Sequence, residues 1–483
     1  MGNLNRYAVS PARTRRCRGT ARASLLLCCT TLVAMGCGGD GAGMEEMETP
    51  KATPRRPGEK VDPWQAGTVI AREAGLHPEI VVTGDGNAAV AYYATKARDM
   101  GLCDEIEGDD LPMRMLWDLW YAQESATGFA AEPIGEVLSF NVPQGLDMAV
   151  DPAGAPAVAT LTGGPHVALR FCSANDVGFY RRVGAGNWQV TAAVRTSGEA
   201  ATGEAASDYG EVVGHWPGLA IDASGNAAIA YKDVHAGGIQ NDDLERADLE
   251  VALQNGGGWR AVPVDWGKGA GSYNRALFDA EGRIVILSYN PTESRTEDRY
   301  GLWLSRSADA GQSWEEVRLV RAPQLHGASI ALDPSGMLHV AYYDADRGVP
   351  MLVEQVDPSA FTSLADGWEQ TTIGDSRFDE GYHPSIAINE RGDLAVAYYR
   401  CVASTGSVGE CVPGDDGLVF AVRRAGQSFE YEVVDAGSAE AACGQDPSLA
   451  FDADGRPIIA YQCQTLEAEA LVDELHFARR EAL

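Results

Sequence analysis

The sequence predicts an all-β fold: a seven-bladed β-propeller with four-stranded antiparallel blades, its ring closed by an N-terminal strand. Three observations predict it. One phrase, written HPSIAINERGDLAVAYYRC at 383–401 and DPSLAFDADGRPIIAYQC at 446–463, recurs seven times along the 483 residues. Two more strand-like runs follow each of the first six copies, and the seventh copy is one run short while a matching run precedes the first. Four strands per unit, with units 54 to 71 residues apart, describe propeller blades.

Each copy is a hairpin. Gly86, Gly154, Gly225, Gly282, Gly336, Gly392 and Gly455 occupy one place in it, and three residues earlier stand Asp151, Asp222, Asp279, Asp333, Asp452, Asn389 or Thr83. Asp or Asn opens a type I turn by bonding its own downstream backbone, and Gly takes the left-handed position that closes it. The flanking runs, such as SIALD and MLHVAYYD, are almost continuously apolar, so both faces of these strands are expected to be buried. Naming the strands A to D from the axis outward, Ala149, Ala220, Ala331, Ala387 and Ala450 sit in the middle of strand A, where converging strands leave little room. Runs such as LVFAVRRA and FEYEVVDA supply C and D. After the seventh hairpin only DELHFARREAL follows, and WQAGTVIARE, from Trp64, has the Trp-led form of D strands such as WRAVPVD. It therefore completes the last blade and removes an open edge.

Residues 1–36 hold six arginines and no acid, then the apolar run SLLLCCTTLVAMG, too short to span a bilayer; they read as a secretory signal. The end of that run, LVAMGC, resembles the lipobox of bacterial lipoproteins at Gly36 and Cys37 and departs from it at Ala34. Ordinary signal peptidase also accepts AMG, and either reading cuts before Cys37, the expected lipidation site. Residues 37–60, rich in Gly, Pro and charge, form a disordered tether, and 61–483 the propeller. The expected setting is the cell envelope, on a bacterial membrane (outer in preference to inner) facing periplasm or exterior, as a monomer touching the membrane through its lipid only.

Losing the leader's arginines takes the formal net charge from −31 to −37, which excludes nucleic acid as a partner. No cofactor is expected beyond weak Ca²⁺ binding by the acidic runs Asp104, Glu105, Glu107, Asp109, Asp110 and Asp242, Asp243, Glu245, whose default role is solvation. No spacing suggests zinc. Six cysteines follow Cys37, an even count that suits disulfides in an exported chain. Cys443 and Cys463 flank the seventh hairpin nearly opposite each other; Cys401 and Cys411 would close the loop after strand B of blade six, which leaves Cys103 with Cys172.

Tight A-to-B turns occupy one face, and long B-to-C and D-to-A insertions the other. Recognition belongs on the long-loop face. His77, His215, His326 and His383 start strand A at the axial mouth there, with His215 and His326 one residue earlier in register than the other two. Tyr92, Tyr231, Tyr342, Tyr398 and Tyr461 end strand B. Four imidazoles suggest a metal, and tyrosines a glycan platform; strand capping and packing are the plainer readings.

In blade four, SADAGQSW at 307–314 matches the Asp box, SxDxGxxW, of bacterial neuraminidase (BNR) repeats. The chain thus resembles the sialidase-like propeller superfamily, and its HPSIAxDxxGxxxVAYY phrase resembles bacterial repeat-containing lipoproteins. The resemblance implies that Ser307, Asp309, Gly311 and Trp314 are a folding element, with Asp309 bonding turn backbone and Trp314 packing between blades. It also implies an arginine triad for a substrate carboxylate, a Tyr nucleophile paired with Glu, and an acidic proton donor. Of the seven A strands only Arg275 offers a guanidinium, and blade one opens HPEIVV. These departures favour a non-catalytic binding or scaffold module with a protein or glycan partner; the alternative is a glycoside hydrolase or lyase with its site at the axial mouth.

Overall fold

The computed structural model describes residues 63–102, 113–139, 145–162, 176–194, 212–234, 248–265, 269–291, 299–321, 327–401, 416–438, 441–467 and 470–481. Their strands form seven small antiparallel sheets in a ring, a seven-bladed β-propeller. Six blades run A to D in chain order. The seventh takes its outer strand from Trp64–Arg72, which pairs antiparallel with Ala470–Arg480, Val69 opposite His476.

The hairpin chemistry is as expected. In every copy but the first, the turn-opening side chain accepts the backbone N–H groups two and four residues on, as Asp151 does from Ala153 and Ala155 at 2.9 Å. The seven turn glycines have φ between 72° and 84°, a region open to Gly without a Cβ penalty. Strand B is buried on both faces: Leu394–Cys401 and Ile284–Asn290 are buried throughout. Strand A departs from the expectation and is only partly covered, because its inner edge borders the axis.

Blades are held to one another by aromatic staples. The tryptophan leading an outer strand packs edge-on against the preceding blade: Trp188 on Tyr121 at 5.2 Å, Trp259 on Phe179 at 5.3 Å, Trp64 on Phe420 at 5.0 Å. Each contact adds about 0.5–1.5 kcal/mol beyond burial. At the ring closure, Glu432 of blade six, wholly buried, accepts from Arg480 through Nε and Nη2, both at 2.8 Å, and from Trp64 Nε1 at 2.9 Å. The first and last described strands are thus tied to the blade beside them.

Two loop expectations change. The insertion of blade one begins as a strand, Arg98–Leu102, pairing back onto Met113–Ser125. Blade five carries a helical insertion between C and D, Pro358–Ala360 and Leu364–Gly367, on the face expected to have only tight turns. No described helix is long and apolar enough to cross a membrane.

Candidate functional site

At the long-loop mouth, each blade places a residue with positive φ in or immediately before strand A: His77, Gly145, Trp216, Tyr273, Gly327, His383 and Asp446, with φ from 45° to 96°; in five blades a positive-φ Gly (Gly75, Gly214, Gly271, Gly381, Gly444) stands two residues earlier. Five of the first seven are not glycine, and such a conformation costs on the order of 1–2 kcal/mol each. Strain of this kind persists only where the surroundings over-determine it, as at ligand sites. Register shifts against strand B follow at these points in blades one, three, four, six and seven.

Two residues further on, a second ring faces the axis: Glu79, Asp147, Gly218, Arg275, Ser329, Ser385 and Ser448. Four of these side chains accept a backbone N–H from the next blade: Ser329 from Ile386 (2.9 Å), Ser385 from Leu449 (3.0 Å), Ser448 from Ile80 (3.0 Å) and Asp147 from Leu219 (2.6 Å). Gly218 leaves space where a Cβ would lie 2.8 Å from the Arg275 backbone. Arg275 reaches across to Glu79 at 2.5 Å, and Ser448 donates to the other Glu79 oxygen at 2.9 Å. Together the two rings enclose a cavity of about 80 Å³ lined by all seven blades.

The electrostatics are tightly coupled. Burial pushes the Glu79 carboxyl up to about 7, against the pull of Arg275 and with help from Asp147. Burial also raises Asp147, opposed by Arg275 and the N–H groups of Leu219 and Met148. His77 Nδ1 lies 2.9 Å and His383 Nδ1 3.4 Å from the two oxygens of Asp446. Burial works to raise Asp446, yet His77, His383 and Arg275 together hold it well below the usual carboxylate range. Crowding by the walls lowers His383, although its edge is open to solvent.

The structure sorts the residues named from sequence. His77, His383 and Arg275 converge at the mouth. His215, one residue before the left-handed Trp216, instead turns into the wall, where burial and then Lys232 lower it to about 4. Tyr92, Tyr231, Tyr342, Tyr398 and Tyr461 are fully buried between blades and present no face to a ligand, because neighbouring blades cover strand B on both sides. Ser307, Asp309, Gly311 and Trp314 fold the C-to-D turn of blade four: Asp309 accepts from Ser307 and Ser313, and Trp314 Nε1 donates to the Pro263 carbonyl of blade three at 3.0 Å. Those bonds, Ser313 foremost, hold the exposed Asp309 carboxyl down to about 2. Cys443 and Cys463 are directly opposed and form a disulfide with a Cα separation of 4.1 Å. Cys401 is also disulfide-bonded. Cys37, Cys103, Cys172, Cys411, His326 and the acidic runs at 104–110 and 242–245 lie outside the described residues.

Sequence reasoning missed Glu79, Asp147, Trp216, Tyr273 and Asp446. A signal for the mouth was present in the repeats GLHP, GHWP, GYHP and GQDP, a Gly two residues before each left-handed residue and a Pro after it. Among the described residues, one set of metal-type ligands gathers within 4.8 Å: Asp435, Cys443, Cys463 and His476. Its two sulfurs are joined to each other, so it is not a metal centre.

No protein-family model matches the chain, and no curated protein is significantly similar to it. Among solved structures, it is similar to an ulvan lyase of polysaccharide lyase family PL25 (TM-score 0.49, 11% identity, 85% of this chain and 95% of that one). It is likewise similar to the intramolecular trans-sialidase of Ruminococcus gnavus (TM-score 0.40, 10% identity, 84% and 94%). A protein of unknown function from Dyadobacter fermentans gives TM-score 0.42, 13% identity, 78% and 98%. The likeness is one of fold alone.

Proposed function

We propose that the chain is an exported propeller, held to a bacterial envelope membrane by lipid on Cys37 and displaced from it by the 37–60 tether, that binds a partner at its axial mouth without reacting with it. The size of the pit carries this reading. Sites that enclose a small ligand measure ~300–1,000 Å³, and the pit offers about 80 Å³. It admits a protruding substituent, not a sugar ring. Its one guanidinium is already neutralised by Glu79. The rim sets the half-buried rings of Trp216 and Tyr273 on one side and His77 and His383 on the other. A glycan end group lying over the aromatic side, with a hydroxyl or acidic substituent in the pit, suits that division.

The test is a glycan array read with the full-length chain and with a His77→Ala/His383→Ala variant. Signals reduced at least ~10-fold in the variant are expected, since charge-assisted hydrogen bonds contribute about 1.5–3 kcal/mol each. Undiminished signals, or capture of a protein by a surface elsewhere, overturn the reading. For the anchor, Cys37→Ser should abolish incorporation of labelled palmitate and release the chain from membranes; a variant still labelled places the lipid elsewhere.

One observation favours a second reading, a glycoside hydrolase or lyase. Glu79, near neutrality and beside Asp147, has the poise of a proton donor. Turnover of a fluorogenic glycoside panel, including a sialoside, that Glu79→Gln abolishes would establish that reading in place of the first.

A further inference from the structure

Blade three carries a pairing that its siblings lack. In the ladder between strands B and C, Asp233 stands directly opposite Asp248, and Glu250 opposite Tyr231. The equivalents of the Asp233 pair are Thr162 with Asp176, Asn290 with Gly301, Asp344 with Val349, Arg400 with Gly417 and Cys463 with Glu474, none with two carboxylates. At the place of Glu250 those blades have Gly178, Trp303, Met351, Val419 and His476.

Period-two alternation puts Tyr231, Asp233, Asp248 and Glu250 on one face of the sheet. That face is turned toward blade two, since Tyr231 packs with Val177, Phe179 and Val194. The three carboxylates are 0%, 1% and 2% exposed. Glu250 accepts the Tyr231 hydroxyl, whereas among the described residues neither oxygen of Asp233 meets a hydrogen-bond donor. Lys232 belongs to the opposite face, 3.2 Å from Ser272 Oγ and 3.4 Å from the Gly269 carbonyl.

Like charges opposed across a ladder are destabilising, and an unpaired buried charge is more so. A proton relieves one of three carboxylates; a divalent cation relieves two and takes oxygen ligands of this kind. We propose that Asp233, Asp248 and Glu250 form a calcium-type cation site between blades two and three, at the root of the long-loop face. Among the described residues these three are not a set whose ligand oxygens all lie within 4.8 Å of one another, so the ion has to draw them together. With no cation beside it, burial, Glu250 and Asp248 push the Asp233 carboxyl up to about 10.

The experiment titrates CaCl₂ into the EDTA-treated full-length chain by calorimetry and follows its thermal melt. One calcium per chain and a melt raised by calcium are expected; in Asp233→Asn the affinity should fall at least ~10-fold and the calcium-induced rise in the melt shrink with it. Because Asn removes the repulsion, EDTA-treated Asp233→Asn should melt no lower than EDTA-treated wild type. Should it fail to fold, Glu250→Gln in the same two assays decides. The proposal is overturned by a melt indifferent to calcium and EDTA, by calcium binding that survives both substitutions undiminished, or by a preference for Mg²⁺.

Discussion

Removing Glu432 should unfasten the ring at one seam. Its carboxylate is wholly buried and Arg480 is 7% exposed, so the discount for solvent-screened surface pairs does not apply. Glu432→Ala leaves a buried guanidinium without its bidentate partner and frees Trp64 Nε1, which had donated at 2.9 Å. Breaking such a pair from one side costs about 3–5 kcal/mol. The strand with least to hold it afterwards is Trp64–Arg72, an outer strand with only Ile70 and Ala71 as apolar contacts past its tryptophan. Native-state hydrogen exchange is the assay. If the loss falls on local opening of that strand, its amides should exchange about 150- to 4,000-fold faster, while those of Leu338–Asp344 in blade five keep their protection. Glu432→Gln, which keeps an acceptor for Trp64, should fall between. Unchanged exchange at 64–72, or an equal acceleration in every blade, would refute the claim that this seam is where the ring opens.

Other outcomes are expected. Reducing the Cys443–Cys463 disulfide, with its sequence separation of 20, should lower stability by roughly 3 kcal/mol in denaturant titrations with and without reductant. Glu79 has a carboxyl raised above its ordinary value, so the native state holds the extra proton and stability falls as pH rises from about 4.5 through about 7. The loss is on the order of 3 kcal/mol, and Glu79→Gln should flatten the profile of urea midpoint against pH. Arg275→Met should destabilise by about 3 kcal/mol at pH 8, where Glu79 and Asp147 lose their counter-charge, and clearly less at pH 5, where Glu79 takes up a proton. Equal losses at both pH values would show that Arg275 acts by packing alone.

Much of the scaffold was legible because its causes are local. The turn chemistry of Asp151 and Gly154 lies within four residues, and the pairing of Cys443 with Cys463 follows from hairpin register. Even ring closure could be read, since Trp64 leads a run with the form of Trp188 and Trp259. The site was less legible because its contacts are remote. Arg275 was singled out, but its partner Glu79 is 196 residues away, and Asp446 joins His77 and His383 from three different blades. The tyrosines take the plainer of their two readings, packing: Tyr92 and its counterparts end strand B near the mouth, and alternation sends them into the seams between blades. Tyr461 shows the result, giving its hydroxyl to Asp435 of blade six.

The axis-facing ring separates scaffold from function by which members keep the common task. Ser329, Ser385 and Ser448, on consecutive blades five to seven, each cap the next blade's N–H, and Asp147 does the same for blade three. Were packing the sole demand, one small hydroxyl per blade would serve all seven positions. Glu79 and Arg275 abandon the task on opposite sides of the ring and face each other, and Gly218 has no side chain where a Cβ would meet the Arg275 backbone. Burying that pair, with Asp147 beside it, costs stability that three more serines would not. The strained His77, Asp446 and His383 stand directly above. Within this ring the departures from the common task, Glu79 and Arg275, meet each other at the converging point of the blades, and that is the reason recognition is proposed there.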